Sequence, residues 1–150
     1  MEMINKILRD IKVEMLDEFD RNFQRGGFFT KPWPQKRDGS ASHLTKTGKL
    51  RRSITARIAG NSVIFTSSEA YAAIHNDGGT ITVTAKMKKY FWAKFKETQQ
   101  PHFKRMALMK VGSKIKIPQR RFIGDSPEVR KAVDDIVKDA INAELKNIVN

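Results

Sequence analysis

An α+β fold is predicted by three observations. The two ends of the chain each repeat apolar residues at three- and four-residue intervals over more than twenty positions, the period of an amphipathic helix. Between them, two short segments alternate apolar and polar residues on either side of Gly60-Asn61, the pattern of a hairpin. A third β-branched segment, Thr80 to Thr84, follows a Gly-Gly pair. The expected architecture is two long terminal helices packed on a small, mostly antiparallel sheet, with a helical insert, all in one domain over residues 1–150.

The first helix rests on Ile4, Ile7, Leu8, Ile11, Met15, Phe19 and Phe23, with charged residues between them, and Gly26-Gly27 ends it. From Phe28 to Lys46 the periodicity disappears and Pro32, Pro34 and Gly39 replace it, so a long surface loop is expected. Trp33, between two prolines, reads as a buried anchor for that loop or as an exposed aromatic at an interface. Thr47 is placed to cap a short helix over Lys49 to Ser53. Strands follow at Ile54 to Ala59 and Ser62 to Ser67, then a short helix from Glu69 to Asn76, stopped by Gly78-Gly79. With Thr80 to Thr84, three strands make the minimum sheet.

Met87, Tyr90, Phe91 and Phe95 return to helical spacing, leaving Trp92 off the apolar face, and Pro101 is expected to close that helix. Another short helix is predicted over Phe103 to Val111, then a basic strand from Lys114 to Ile117. Ser126 caps a final helix that Pro127 opens, with Glu128 in its first turn. Its stripe is Val129, Val133, Ile136, Val137, Ala140, Ile141, Leu145 and Ile148.

Composition excludes several functions. The absence of cysteine rules out disulfides, thiolate metal sites and cysteine nucleophiles. No apolar run approaches the roughly 20 residues of a membrane span, and the alternation of apolar and charged residues in Met1 to Lys12 is unlike a signal peptide. The chain is therefore expected to stay in the compartment where it is made. The net charge of +13 is concentrated: residues 31–124 carry 20 basic and 4 acidic groups, whereas residues 1–30 carry 5 and 6, and residues 125–150 carry 4 and 6. Such a middle attracts nucleic acid or an acidic protein surface through the same long-range field.

Three segments stand out, each joining a turn former to a basic or apolar run: Thr47-Gly48-Lys49-Leu50-Arg51-Arg52-Ser53-Ile54, Tyr71 to Thr80 with its Tyr-Ala-Ala-Ile-His-Asn-Asp-Gly-Gly order, and Pro118-Gln119-Arg120-Arg121-Phe122-Ile123-Gly124. None brings together an acid, a base and a nucleophile. Tyr71, Ile74 and His75 share one helical face, with Gly78 and Gly79 turning the chain into the next strand. His75 as general base or metal ligand lacks partners at ligand spacing, so it reads as a half-buried histidine bonded to backbone. A His75-Asn76 pair also fits metal-dependent nucleases, but the basic middle offers only Asp38, Glu69, Asp77 and Glu97 as further ligands. Phosphate-loop, dinucleotide, nucleophile-elbow and zinc-protease signatures are missing. Neither catalytic residues nor a cofactor, metal or small-molecule substrate is expected. Lys49, Arg51 and Arg52 form one basic cluster with Lys46, and Lys114, Lys116, Arg120 and Arg121 a second; either is a solvated face or a partner-contact patch.

Taken together, the three segments resemble the phage virion morphogenesis, or tail completion, family of tailed bacteriophages. Members carry a Gly-Arg-Leu-type helix start, a Tyr-Ala-x-x-His-x-x-Gly-Gly turn and a late Pro-x-Arg-x-Phe-x-Gly turn; Arg121 stands where they commonly have proline. The resemblance implies a structural protein of the phage neck or tail end, working in the bacterial cytoplasm during assembly, as a ring of copies. Its implied partners are connector, tail terminator or tail-tube proteins. Tyr71, His75, Gly78, Gly79, Pro118, Phe122 and Gly124 then serve turns and core, while Trp33 and the two basic clusters are candidate contacts. The loops 28–46 and 86–111 are the segments expected to reach a neighbouring subunit. The competing reading is a nucleic-acid-binding protein that uses the basic middle without sequence preference.

Overall fold

Helical periodicity at the N-terminus yields α1, Glu2–Arg25, about 36 Å of helix, which buries Leu8, Met15, Phe19, Asn22 and Phe23 on one stripe. The computed structural model describes residues 2–36 and 48–149. The chain forms two compact units, one from Met1–Asp77 with Gln119–Asn150 and one from Gly78–Pro118.

In the first unit Gly26 ends α1 with a left-handed φ of 67°, and the chain turns into a two-residue antiparallel pair, β1 Gly27–Phe28 and β2 Lys31–Pro32. The segment expected to be loop is thus partly paired. Gly27 is required there, because a Cβ on it would run into the backbone carbonyl of Lys31. Residues 37–47 lie outside the described residues, and the Thr47 cap with them. The next helix, α2 Lys49–Arg52, is capped at Gly48, whose φ is 68°. β3 Ile54–Ala59 and β4 Ser62–Ser67 form the expected hairpin, with Ile54 opposite Ser67 and Ala59 opposite Ser62. The short helix α3, Ala72–Asp77, begins three residues later than predicted.

The unit is closed by α6, Pro127–Val149, which Ser126 caps by accepting the Val129 N–H at 3.1 Å. α1 and α6 run antiparallel, since the first turns of α1 face Ala140 to Asn147. Two apolar clusters hold this unit. Phe23, Trp33, Leu50, Ala72 and Phe122 form one; Met15, Phe19 and Phe28, backed by Phe65, Val129 and Ala132, form the other. Ile123 packs on both. Burial of each ring contributes about 1.5–3 kcal/mol, and the rings meet edge to face, as Phe19 and Phe65 do at 5.1 Å. On α6 the apolar stripe outruns its cover: Ala140 is buried, but Ile141, Leu145 and Ile148 are exposed.

The second unit corrects the expected sheet. β5, Gly79–Thr82, does not join the hairpin; it pairs antiparallel with β6, Lys114–Ile117, setting Gly79 opposite Ile117 and Thr82 opposite Lys114. The described residues therefore hold three two-stranded antiparallel ladders, within the α+β class. Between β5 and β6 the chain forms a helical pair, α4 Ala85–Thr98 and α5 Pro101–Ala107. Pro101 opens α5 at its first turn rather than closing α4, whose end is set by Gln99 in a left-handed conformation (φ 57°). Leu108 to Val111, predicted helical, lie beyond α5. α4 buries no residue: Met87, Phe91 and Phe95 are half-buried, while Tyr90, assigned to the apolar face by spacing, is 55% exposed and stands out further than Trp92.

Candidate functional site

Parts of all three segments singled out in the sequence meet in the first unit, where Leu50, Ala72 and Phe122 pack together with Trp33. The centre is residues 120–123, fixed on every side by hydrogen bonds. The Arg120 N–H donates to the His75 carbonyl at 2.8 Å, and the Arg120 Nε to the Pro34 carbonyl at 3.0 Å. The Trp33 Nε1 donates to the Arg121 carbonyl at 2.7 Å. The Asn76 Oδ1 accepts both the Phe122 N–H (2.9 Å) and the Ile123 N–H (3.0 Å). From the other side, the Asn22 Nδ2 donates to the Phe122 carbonyl at 3.0 Å.

Asn22 is a junction in its own right. Its Oδ1 accepts the Phe29 N–H at 3.0 Å and the Arg25 guanidinium at 2.9 Å, so one fully buried amide ties α1 to the turn after β1 and to residue 122. A buried amide with every group satisfied fixes position at little cost; with a partner removed it becomes a liability. Phe122 itself is buried against Phe23, with ring centroids 5.2 Å apart, and Phe23 meets Trp33 edge to face at 5.7 Å. Hydrogen bonds thus set the backbone of the latch while aromatic packing fills it.

The predicted contact residues divide accordingly. Trp33 is turned inward, 9% exposed, as the anchor reading expected and unlike an interface ring. Arg120 is 7% exposed and committed to Pro34, so it is structural. Arg121 lies over the Phe28 ring at 4.9 Å and donates to the Ile123 carbonyl, and it crowds Gly124, whose φ of 153° suits glycine. Arg51 binds Asp20 through two bonds, Nε to Oδ1 at 2.6 Å and Nη2 to Oδ2 at 2.8 Å. That hydrogen bonding holds the Asp20 carboxyl below the usual carboxylate range and raises the Arg51 guanidinium. Lys49 lies 3.7 Å from Glu69, while Arg52 is exposed. Lys114 and Lys116 belong to the second unit, exposed on β6, with the Lys114 Nζ bonded to the Thr82 hydroxyl at 2.6 Å. The second basic cluster is therefore divided between the two units.

Of the turn residues, Tyr71 meets the His75 ring edge to face at 5.7 Å, and His75 is half-buried, as expected. Gly78 has a φ of 72°, the left-handed turn predicted at the end of the helix. Pro118 and Gly79 lie at the two ends of the β5–β6 ladder's chain segment, in the second unit.

Beside the latch is a cleft of about 410 Å³ lined by Phe28, Trp33, Arg121, Asp125 and Glu128. Its acids are engaged. Asp125 is bound by Arg130 at 2.6 Å, which holds its carboxyl low, and the Glu128 carboxyl is held low chiefly by its own backbone N–H and the Ser126 hydroxyl, with a lesser part from the Thr30 hydroxyl at 3.3 Å. A carboxylate kept ionised by bonded donors is a poor proton carrier at neutral pH. Among the described residues, no group of three or more His, Asp or Glu is placed to hold a metal ion. The arrangement can hold a chain segment rigidly.

A family model of phage virion morphogenesis proteins matches residues 3–142, from the first turn of α1 to well into α6. The chain belongs to the phage virion morphogenesis family. No curated protein and no solved structure matches it. The family is a structural one, and this phage virion morphogenesis protein has a role in building the virion. No helix among its described residues is long and apolar enough to cross a membrane.

Sequence reasoning missed Asn22 and Asn76, which between them make three of the hydrogen bonds that hold residues 122 and 123. Asn22 has a detectable signal: it is a polar residue between Phe19 and Phe23 on the apolar side of an amphipathic helix. Asn76 has none beyond its place before a Gly-Gly turn.

Proposed function

We propose that this phage virion morphogenesis protein acts in tail completion and head-to-tail joining as a ring of copies at the virion neck or tail end, through protein–protein contacts. The observation that carries the reading is the uncovered stripe of α6. Ile141, Leu145 and Ile148 follow one another at i, i+4 and i+7, and Leu145 is 53% and Ile148 73% exposed. Met3 and Ile4, at the start of the antiparallel α1, are exposed as well. An apolar stripe that continues a core helix past its own cover is what a neighbouring subunit buries. The occupant is a second copy, in a head-to-tail contact: acids predominate at the chain ends that form α1 and α6, whereas the middle is strongly basic, so unlike surfaces of successive copies attract. The ring then meets connector, tail terminator or tail-tube subunits.

The test is complementation in vitro. Purified full-length protein is added to a lysate containing heads and tails but lacking this protein, and infectious particles are counted. Wild type should restore joining, and Leu145→Glu with Ile148→Glu should not, while keeping wild-type circular dichroism. Joining restored equally by both would sink the reading.

A further inference from the structure

Half of the basic groups of residues 31–124, but only one of their four acids, lie in a single unit. The unit Gly78–Pro118 holds ten basic groups and one acidic group, and nine of the ten are lysine. Among the described residues its single acid, Glu97, is 3.4 Å from Lys94, which leaves the other nine cations of the unit without an acidic partner within it. α4 organises part of this charge. At 100° per residue, Lys86, Lys89, Ala93 and Lys96 fall on one side of the helix, and all four are exposed. Met87, Phe91 and Phe95 take the opposite, half-buried side.

We infer that this face of α4 is a binding surface for the sugar-phosphate backbone of double-stranded DNA, engaged without reading sequence. This goes beyond the self-assembly reading and does not depend on it. Three ammonium groups stand along about 15 Å of rigid helix, a length over which one strand of duplex DNA presents about four phosphates. On this face of α4 residue type favours phosphate over carboxylate, so the attraction between successive copies falls to the ten basic groups of residues 31–77 and 119–124. Carboxylates are matched best by the bidentate guanidinium of arginine, and lysine is depleted in protein interfaces, whereas a lysine ammonium suits a phosphate as a point charge. Ring placement decides against a single strand. Tyr90, the ring that stands out furthest, already has the Lys94 ammonium 5.9 Å from its centroid, and Trp92 is set edge-on to Phe95 at 6.2 Å. Each ring thus already has a neighbour against it, which disfavours stacking of a base.

The test is fluorescence anisotropy of a labelled random-sequence duplex with the full chain, between about 50 and 200 mM salt, where each phosphate neutralised contributes a slope near −0.9 in log K against log salt. Lys86→Gln, Lys89→Gln and Lys96→Gln combined should weaken binding and flatten the slope by about 2.7. Lys131→Gln with Lys138→Gln, exposed lysines on α6, serves as the control for charge loss and should leave the slope unchanged. Circular dichroism confirms that the triple variant is folded. No duplex binding by wild type, an equal loss in both variants, or tighter binding of labelled poly-glutamate or of a single strand than of the duplex would overturn the inference. Duplex binding that survives in the Leu145→Glu, Ile148→Glu protein separates this surface from the assembly surface.

Discussion

The Asn22 Nδ2 donates to the carbonyl of Phe122 at 3.0 Å, across 100 residues of sequence. One amide on the first helix thereby fixes the turn that leads into the last. Asn76 grips the other edge of the same turn, and Trp33 and Arg120 tie it to the segment after β2. The latch makes the turn over residues 120–123 a structural element of the first unit.

Asn22→Ala should be among the most destabilising single changes. It strands the buried Phe122 carbonyl, whose loss of a partner costs about 1–3 kcal/mol, and the part-buried Phe29 N–H, whose loss costs less. The expected total is about 2–4 kcal/mol, or roughly 5–15 °C in Tm at this chain length. Thermal unfolding by circular dichroism reads it. A change within about 0.5 kcal/mol of wild type, the range of an ordinary surface substitution, would contradict the latch.

Trp33 separates packing from hydrogen bonding. Trp33→Phe keeps a ring against Phe23 but loses the Nε1 bond to Arg121, for a cost of about 1 kcal/mol plus a small cavity term, whereas Trp33→Ala should cost about 3–5 kcal/mol. Urea unfolding midpoints distinguish the two. In Trp92→Phe, the remaining Trp33 should emit at short wavelength and resist iodide quenching, as befits a buried indole.

Arg51 and Asp20 make the stability pH-dependent in a known direction. Because the Asp20 carboxyl is held below its unfolded value by the Arg51 hydrogen bond, its contribution is fully present above about pH 4 and is lost as pH falls through the lower, folded-state value. Both side chains are partly solvent-exposed, so Arg51→Ala should cost only about 0.5–1 kcal/mol at neutral pH. The difference from wild type should shrink on acidification toward pH 3, measured by urea unfolding at both pH values. A gap that widened with acid would reverse the assignment.

Local chemistry made the hairpin, the Ser126 cap and both terminal helices legible from sequence. The Gly60-Asn61 turn lies between alternating segments, Ser126-Pro127 is a helix start, and the stripes of Phe19, Phe23 and Val129 have the helical period. Pairing at long range was not legible. Thr80 to Thr82 look as suited to the β3–β4 hairpin as to Lys114 to Ile117, and the choice of partner is made by the α4–α5 excursion that brings residue 114 back. Periodicity failed at Tyr90 and at Ile141 to Ile148 because an apolar stripe reports that a face is covered, not by which molecule. Arg51 and Arg120 read as surface charge because their partners, Asp20 and the Pro34 carbonyl, are 31 and 86 residues distant. For that reason charge reversal at Arg51, Arg52, Arg120 and Arg121 together would damage the fold as well as any contact.

The proposed ring requires copies of this phage protein to bury the α6 stripe against one another. The most direct measurement is the solution mass of the full chain by light scattering, across concentration and at low and moderate salt without nucleic acid. A discrete closed oligomer, or a monomer that becomes one as concentration rises, with both lost in Leu145→Glu, Ile148→Glu, is the expected result. A wild-type protein that stays monomeric at every concentration, or a variant whose mass matches wild type throughout, would contradict it.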